Sequence, residues 1–206
     1  MYAIEDVKAT IEKCADIVVN KKDALTEIDS MSGDGDLGVS MEKGVLALQE
    51  CIANYAASEI GMMLMQGGAA FNRAAPSTMG TLVGMGLASM GGSWKGKTQL
   101  EDADLVQGVR TFADAIARLG KAKRGDKTIL DALYPFVDKL EECFAATGDF
   151  AQAYDKALEE ARSGLEATKG MMASVGRARW LGERAMQTYD GGAMLCVYVL
   201  EGLRTH

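Results

Sequence analysis

Proline is scarce in this chain, with only Pro76 and Pro135, and that scarcity removes the commonest interruption of long helices. No Cys-x-x-Cys pair occurs among Cys14, Cys51, Cys143 and Cys196, which speaks against a zinc knuckle or a dithiol redox motif. The four are read instead as reduced core or near-core residues of a cytoplasmic protein. No basic cluster extends beyond the short stretch from Lys121 to Lys127, and the net charge is -7. A nucleic-acid partner is therefore excluded as an expectation, because neutralising phosphates needs a basic face. No apolar run reaches the roughly 20 residues of a membrane span. The opening Met-Tyr-Ala-Ile-Glu-Asp lacks the basic-then-apolar order of a signal peptide.

What remains is plentiful alanine and methionine, 48% hydrophobic residues and 25% charged ones across 206 residues. That balance suits one compact helical domain spanning 1–206 with a core that needs no disulfide or structural metal. The 24 glycines cluster rather than scatter, which marks loops where backbone approaches something closely. Three- and four-residue apolar steps predict a helix through Ile4, Val7, Ile11, Cys14 and Val18, followed by a loop from Asp29 to Gly38. Further helices are expected over 45–52, 62–71, 79–90 and 105–119, the last closed by Gly120 as a C-cap. Asp126 is the expected cap of a helix through Leu133 that Pro135 limits or kinks. Two more helices follow, over 154–165 and from about Gly192 to Leu203, although Cys196 to Leu200 also suits a strand. The count is roughly eight helical segments, and the fold class is all-α.

The sharpest motif is Asp29-Ser30-Met31-Ser32-Gly33-Asp34-Gly35-Asp36-Leu37-Gly38. Three carboxylates so close repel one another unless a cation lies among them, and the interleaved glycines let the backbone fold tightly enough for them to converge. Hard oxygen donors suit magnesium or calcium. An EF-hand fails on spacing, because a loop begun at Asp34 has Val45 where the bidentate glutamate belongs. A solvated acidic turn, with Asp36 capping the helix from Val39 onward, is the alternative that spacing leaves open. Pro76-Ser77-Thr78-Met79-Gly80 places hydroxyls and a glycine at a helix start. That suits either an anion cradle or an ordinary hydroxyl cap, and it is not a Walker A loop. Gly125 to Leu133 reads as a capped helix start. Gly176 to Arg184 offers an arginine for phosphates or an exposed basic turn, and Asp190-Gly191-Gly192 is a turn with Asp190 capping.

Taken in order, D-x4-D-G-D-x-G, the hydroxyl-bearing helix start, G-D-K-T-x-L-D-A-L-x-P, G-R-A-x-x-L-G-E-R and the Asp190 turn resemble the L subunit, or L domain, of dihydroxyacetone kinases. The resemblance covers nearly the whole chain and implies an eight-helix up-and-down antiparallel barrel or bundle. It implies ADP or ATP held through two magnesium ions, with Asp29, Asp34 and Asp36 as the metal ligands. Leu37, Gly38 and Ser40 would lie beside the nucleotide, and Ser77, Thr78 and Met79 on its phosphate or adenine side. Gly120 and Ile129 would pack near the base, Arg177 near the phosphates, and Asp190, Gly191 and Gly192 would close the site. Leu37 stands where the family usually has histidine, and Ser40 where it has asparagine. Pro76 to Gly80 replaces a G-G-x-S-G helix start, and Asp190-Gly191-Gly192 a D-P-G turn.

Kinases of this family hold their ketone on a histidine of a separate K subunit or domain. The only histidine here is His206, so the resemblance implies a K-type partner carrying dihydroxyacetone or a related ketose. The phosphoryl donor implied is either exchanging ATP or a phosphotransferase-system protein that recharges bound ADP. Self-association is left open. The rival readings are a regulatory adaptor that keeps the fold without turnover, and a non-enzymatic helical metal-binding protein.

Overall fold

A computed structural model describes residues 1–176 and 178–204. Eight α-helices account for most of them: α1 (Ile4–Ser32), α2 (Leu37–Ala53), α3 (Ile60–Ala74), α4 (Thr78–Ser93), α5 (Asp102–Gly120), α6 (Leu130–Thr147), α7 (Phe150–Thr168) and α8 (Gly191–Arg204). The all-α expectation holds, and the strand alternative over Cys196 to Leu200 gives way to α8. The only strands among the described residues are β1 (Tyr2–Ala3) and β2 (Gln99–Leu100), paired antiparallel.

Two compact units emerge, each built from two stretches of chain: Met1–Val19 with Ser40–Gly120, and Asn20–Val39 with Lys121–His206. In the first, α3 packs along α4 and α4 along α5. The α3–α4 seam is close because it is made of glycine. A Cβ on Gly61 would lie 2.6 Å from the Gly91 carbonyl, and one on Gly91 2.6 Å from that of Gly61. On α5 the acidic Asp102 and Asp104 occupy the positive first turn, while Val106, Ala113 and Ile116 are buried. Trp94 closes this unit, its indole N–H donating to the Asp104 carbonyl at 2.9 Å.

In the second unit α6 and α7 form an antiparallel pair with α8 against both. Gly148, at φ +67°, ends α6 in the left-handed region that glycine tolerates best. Asp149 then caps α7 by accepting the Gln152 N–H at 3.0 Å. Pro135 neither ends nor limits α6, which runs on to Thr147. It has no N–H for the Asp131 carbonyl one turn earlier. Gly164 of α7 packs directly on that carbonyl, where a side chain would have no room.

Several boundaries differ from the sequence reading for clear reasons. The first helix continues to Ser32, because Leu25 extends its buried stripe through a polar stretch and is fully buried. Asp29 therefore lies on the last turn of α1 rather than in a loop. The second helix begins at Leu37, two residues before Val39. Gly120 is the last residue of α5, and Lys121 takes the left-handed φ of +49° after it. Asp126 does not cap α6. It accepts the N–H of Lys123 and the hydroxyl of Ser174, whereas Asp131 accepts the N–H groups of Gly125 and Thr128. All four cysteines are free, Cys143 and Cys196 buried and Cys14 and Cys51 half-buried.

Candidate metal and nucleotide site

The second unit brings the three aspartates together. One carboxylate oxygen from each of Asp29, Asp34 and Asp36 lies within 4.8 Å of the others. Asp29 is half-buried, and Asp34 and Asp36 are exposed. The connection between α1 and α2 is only residues 33–36, so the chain must reverse within a few residues. Two glycines permit it. Gly35 has φ +74°, and a Cβ at Gly33 would collide with the Asp29 carboxylate. The Leu37 backbone N–H donates to Asp29 Oδ2 at 3.2 Å, which aims the carboxylate across the start of α2. The donor set is carboxylate oxygen alone, which fits magnesium and not a softer metal.

The Asp190 turn adjoins this cluster. A Cβ on Gly191 would lie 2.9 Å from Leu37 Cδ2 and 4.0 Å from Asp29 Oδ1, so the glycine lets this backbone close in. Leu37 is buried, filling with carbon the position at which the resemblance leads one to expect imidazole. Asp190 caps α8 as the sequence indicates, accepting the Ala193 N–H at 2.8 Å. Burial pushes its carboxyl up to about 7, against the opposing pull of the Ala193 amide and the Lys127 ammonium. Gly192 and Ile129 are buried in the same unit.

Gly38 is buried at the start of α2 in the second unit, Arg177 lies outside the described residues, and the remaining candidates fall in the first unit. Ser77 is the N-cap of α4, its hydroxyl accepting the Gly80 N–H at 3.0 Å, so the ordinary capping reading of that motif is realised. Thr78 is exposed, while Met79, Ser40 and Gly120 are half-buried. Among the motif residues around Arg177, the segment Ala178–Gln187 is a 3-10 helix kinked at Gly182.

Sequence reasoning passed over a group beside the Asp190 turn. Lys127, Asp131 and Thr168 are the buried polar or charged residues among those described, and they belong to one neighbourhood. The Lys127 ammonium donates to the carbonyls of Thr168 and Thr188, residues remote in the chain, so no local pattern announces its burial.

An all-helical protein with three aspartates converged between the end of one helix and the start of the next defines a carboxylate-cluster helical class. Comparison with known proteins narrows it, and this chain belongs to the DAK2 domain family, whose match runs over residues 31–205. It is 34% identical over 189 residues to a D-erythrulose kinase of Mycolicibacterium smegmatis, covering 91% of this chain and 33% of that protein. It is 29% identical over 193 residues to the ADP-binding subunit of a PEP-dependent dihydroxyacetone kinase of Escherichia coli, covering 94% of this chain and 92% of that one. The chain thus spans about a third of the length of the erythrulose kinases it matches and nearly all of that subunit. Among solved structures, the dihydroxyacetone kinase of C. freundii in complex with AMP-PNP and Mg2+ aligns with a TM-score of 0.75 at 18% identity. That alignment covers 96% of this chain and 33% of the other, and it establishes the shared helical fold.

Proposed function

We propose that this chain is the nucleotide-binding component of a dihydroxyacetone-kinase-type phosphotransferase. In this reading it holds ADP or ATP through two magnesium ions and serves phosphate transfer to dihydroxyacetone or a related small ketose on a separate K-type subunit. The observation that carries the reading is the convergence of Asp29, Asp34 and Asp36 within 4.8 Å on a backbone shaped by two glycines. Relatives of similar length named as ADP-binding subunits support it.

Asp29, Asp34 and Asp36 would hold the metal. Magnesium, when bound, would offset the negative charge that develops on the phosphates during transfer. The chain's own groups supply binding and orientation. Asp29 is held in place by the Leu37 N–H, so its free lone pairs are directed before any ligand arrives. The Gly191 backbone closes against Leu37 and lies beside Asp29, which bounds one side of the cluster. In the same reading Arg177 adds charge-assisted hydrogen bonds to phosphate oxygens. Within the second unit, Leu37, Gly38, Ile129 and the turn from Asp190 to Gly192 are the residues this reading sets beside the nucleotide. The donor is ATP or a phosphotransferase-system protein acting on bound ADP, and the chain acts in the cytoplasm as one domain.

Calorimetric titration with ADP, with and without magnesium, tests this. Wild type is expected to bind ADP only with magnesium, and Asp34→Ala to lose that binding. Absence of binding to wild type would overturn the reading and leave the adaptor alternative.

A further inference from the structure

A lysine buried to 2% exposure is expensive unless its charge has partners, and Lys127 has them. Its Nζ donates to the Thr168 carbonyl at 2.5 Å and the Thr188 carbonyl at 2.6 Å, 41 and 61 residues away in sequence. Its backbone sits at φ +60°, a region that a non-glycine residue occupies only when its surroundings compel it. Asp131 fixes the turn that carries it, accepting from Gly125 N–H at 2.5 Å and Thr128 N–H at 2.7 Å.

From the two carbonyls the contacts lead to the carboxylate cluster. Thr168 turns its hydroxyl to the Asp190 N–H, which it accepts at 3.1 Å, while donating to the Leu165 carbonyl. Thr188 and Thr168 therefore bracket the residue before Gly191, and Gly191 is the backbone packed on Leu37 and Asp29. Every link lies within the second unit.

We propose that Lys127 is a positioning residue for the carboxylate cluster. Its ammonium clamps the Thr168 and Thr188 carbonyls, and so fixes the Asp190–Gly191 turn against Asp29 and Leu37. The Asp29 carboxylate is thereby held in one orientation for its cation. The last step rests on the reading of the cluster as a magnesium–nucleotide site, whereas the clamp itself does not.

Hydrogen–deuterium exchange on the ligand-free full chain tests the clamp, and magnesium–ADP calorimetry tests its consequence. In Lys127→Met the amides of 188–194 and of Leu37 are expected to exchange at least about tenfold faster, with those of α7 unchanged. Magnesium-dependent ADP affinity should fall about 10- to 100-fold, the usual effect of losing a residue that orients a metal ligand. Lys127→Arg should restore part of both. Leu140→Ala, a core truncation in α6, should lower the melting temperature while leaving the affinity unchanged. If Lys127→Met does not fold, Thr168→Val removes the acceptor of the Asp190 N–H and carries the same expectation. Wild-type exchange at 188–194 in the variant would overturn the proposal, as would wild-type affinity in a variant with faster exchange. If wild type itself binds no magnesium–ADP, faster exchange in Lys127→Met still upholds the clamp, and only the nucleotide reading falls.

Discussion

Asp29 Oδ2 accepts the Leu37 backbone N–H at 3.2 Å, so the last turn of α1 and the first residue of α2 share one carboxylate. This bond satisfies one orphan donor of the α2 N-terminus and aims Asp29 at Asp34 and Asp36. Without a cation the three carboxylates repel. Asp36→Asn is therefore expected to raise the melting temperature of the magnesium-free protein slightly and to abolish the stabilisation that magnesium–ADP gives. At a ligand concentration of about 100 times Kd that stabilisation is about 2.7 kcal/mol in wild type. Thermal melts of both proteins, with and without magnesium–ADP, check the pair of expectations, and an undiminished shift in Asp36→Asn would contradict them.

The start of α2 tolerates no side chain at Gly38, because a Cβ there would run into the Lys22 carbonyl and the Thr26 hydroxyl. The obstructing carbonyl is backbone and cannot swing aside. Gly38→Ala should destabilise by roughly 1–3 kcal/mol, as overpacking of a close contact does. Gly92→Ala, where the added methyl meets nothing within 4 Å, should be neutral or mildly stabilising. Urea unfolding of the two variants makes the comparison.

Asp190 gives stability a dependence on pH. Its carboxyl is raised from 3.8 to about 7, chiefly by burial, so the folded state holds a proton that the unfolded state has released. The favourable contribution is complete below about 4 and is lost as pH rises towards and through about 7, at up to roughly 1.4 kcal/mol per pH unit. Asp190→Asn keeps an oxygen to cap Ala193 and removes the titration. The stability of wild type relative to this variant should fall between pH 5 and pH 8. A difference that stays level over that range, measured by chemical denaturation, would show that the carboxyl does not titrate there.

The two aspartates of the G-D-K-T-x-L-D motif should separate cleanly. Asp131 is 2% exposed and accepts two backbone N–H groups, so Asp131→Ala removes both bonds from a buried carboxylate that holds the turn, and should cost about 2–4 kcal/mol. Asp126 receives the Lys123 N–H and the Ser174 hydroxyl at a more exposed position, and Asp126→Ala should cost about 1 kcal/mol or less. Equal losses in equilibrium unfolding would contradict this assignment.

The motif also shows what a sequence can and cannot display. Apolar steps along α5 and α7 are local, and so those helices were legible from spacing, whereas Cys196 to Leu200 in α8 suited helix and strand alike. The aspartate cluster was legible too, because its three members lie within eight residues and converge through the short turn that separates them. Asp29 was misplaced into a loop because Lys21 to Glu27 is largely polar, and Leu25 alone carries the buried stripe across it. Asp126 and Asp131 offer similar capping chemistry, and burial, which decides between them, comes from the packing of α7 on α6. The position of Lys127 was hidden for the same reason, since its partners enter from elements 41 and 61 residues downstream.

Each unit is made of two separate chain stretches, with α1 and α2 each contributing to both. Neither can be excised by one cut or inherited through one crossover, since any such event takes only a fragment of it. For recombination the indivisible module is the whole span of α1 to α8, and a gene fusion that adds this fold to another protein must carry all of it.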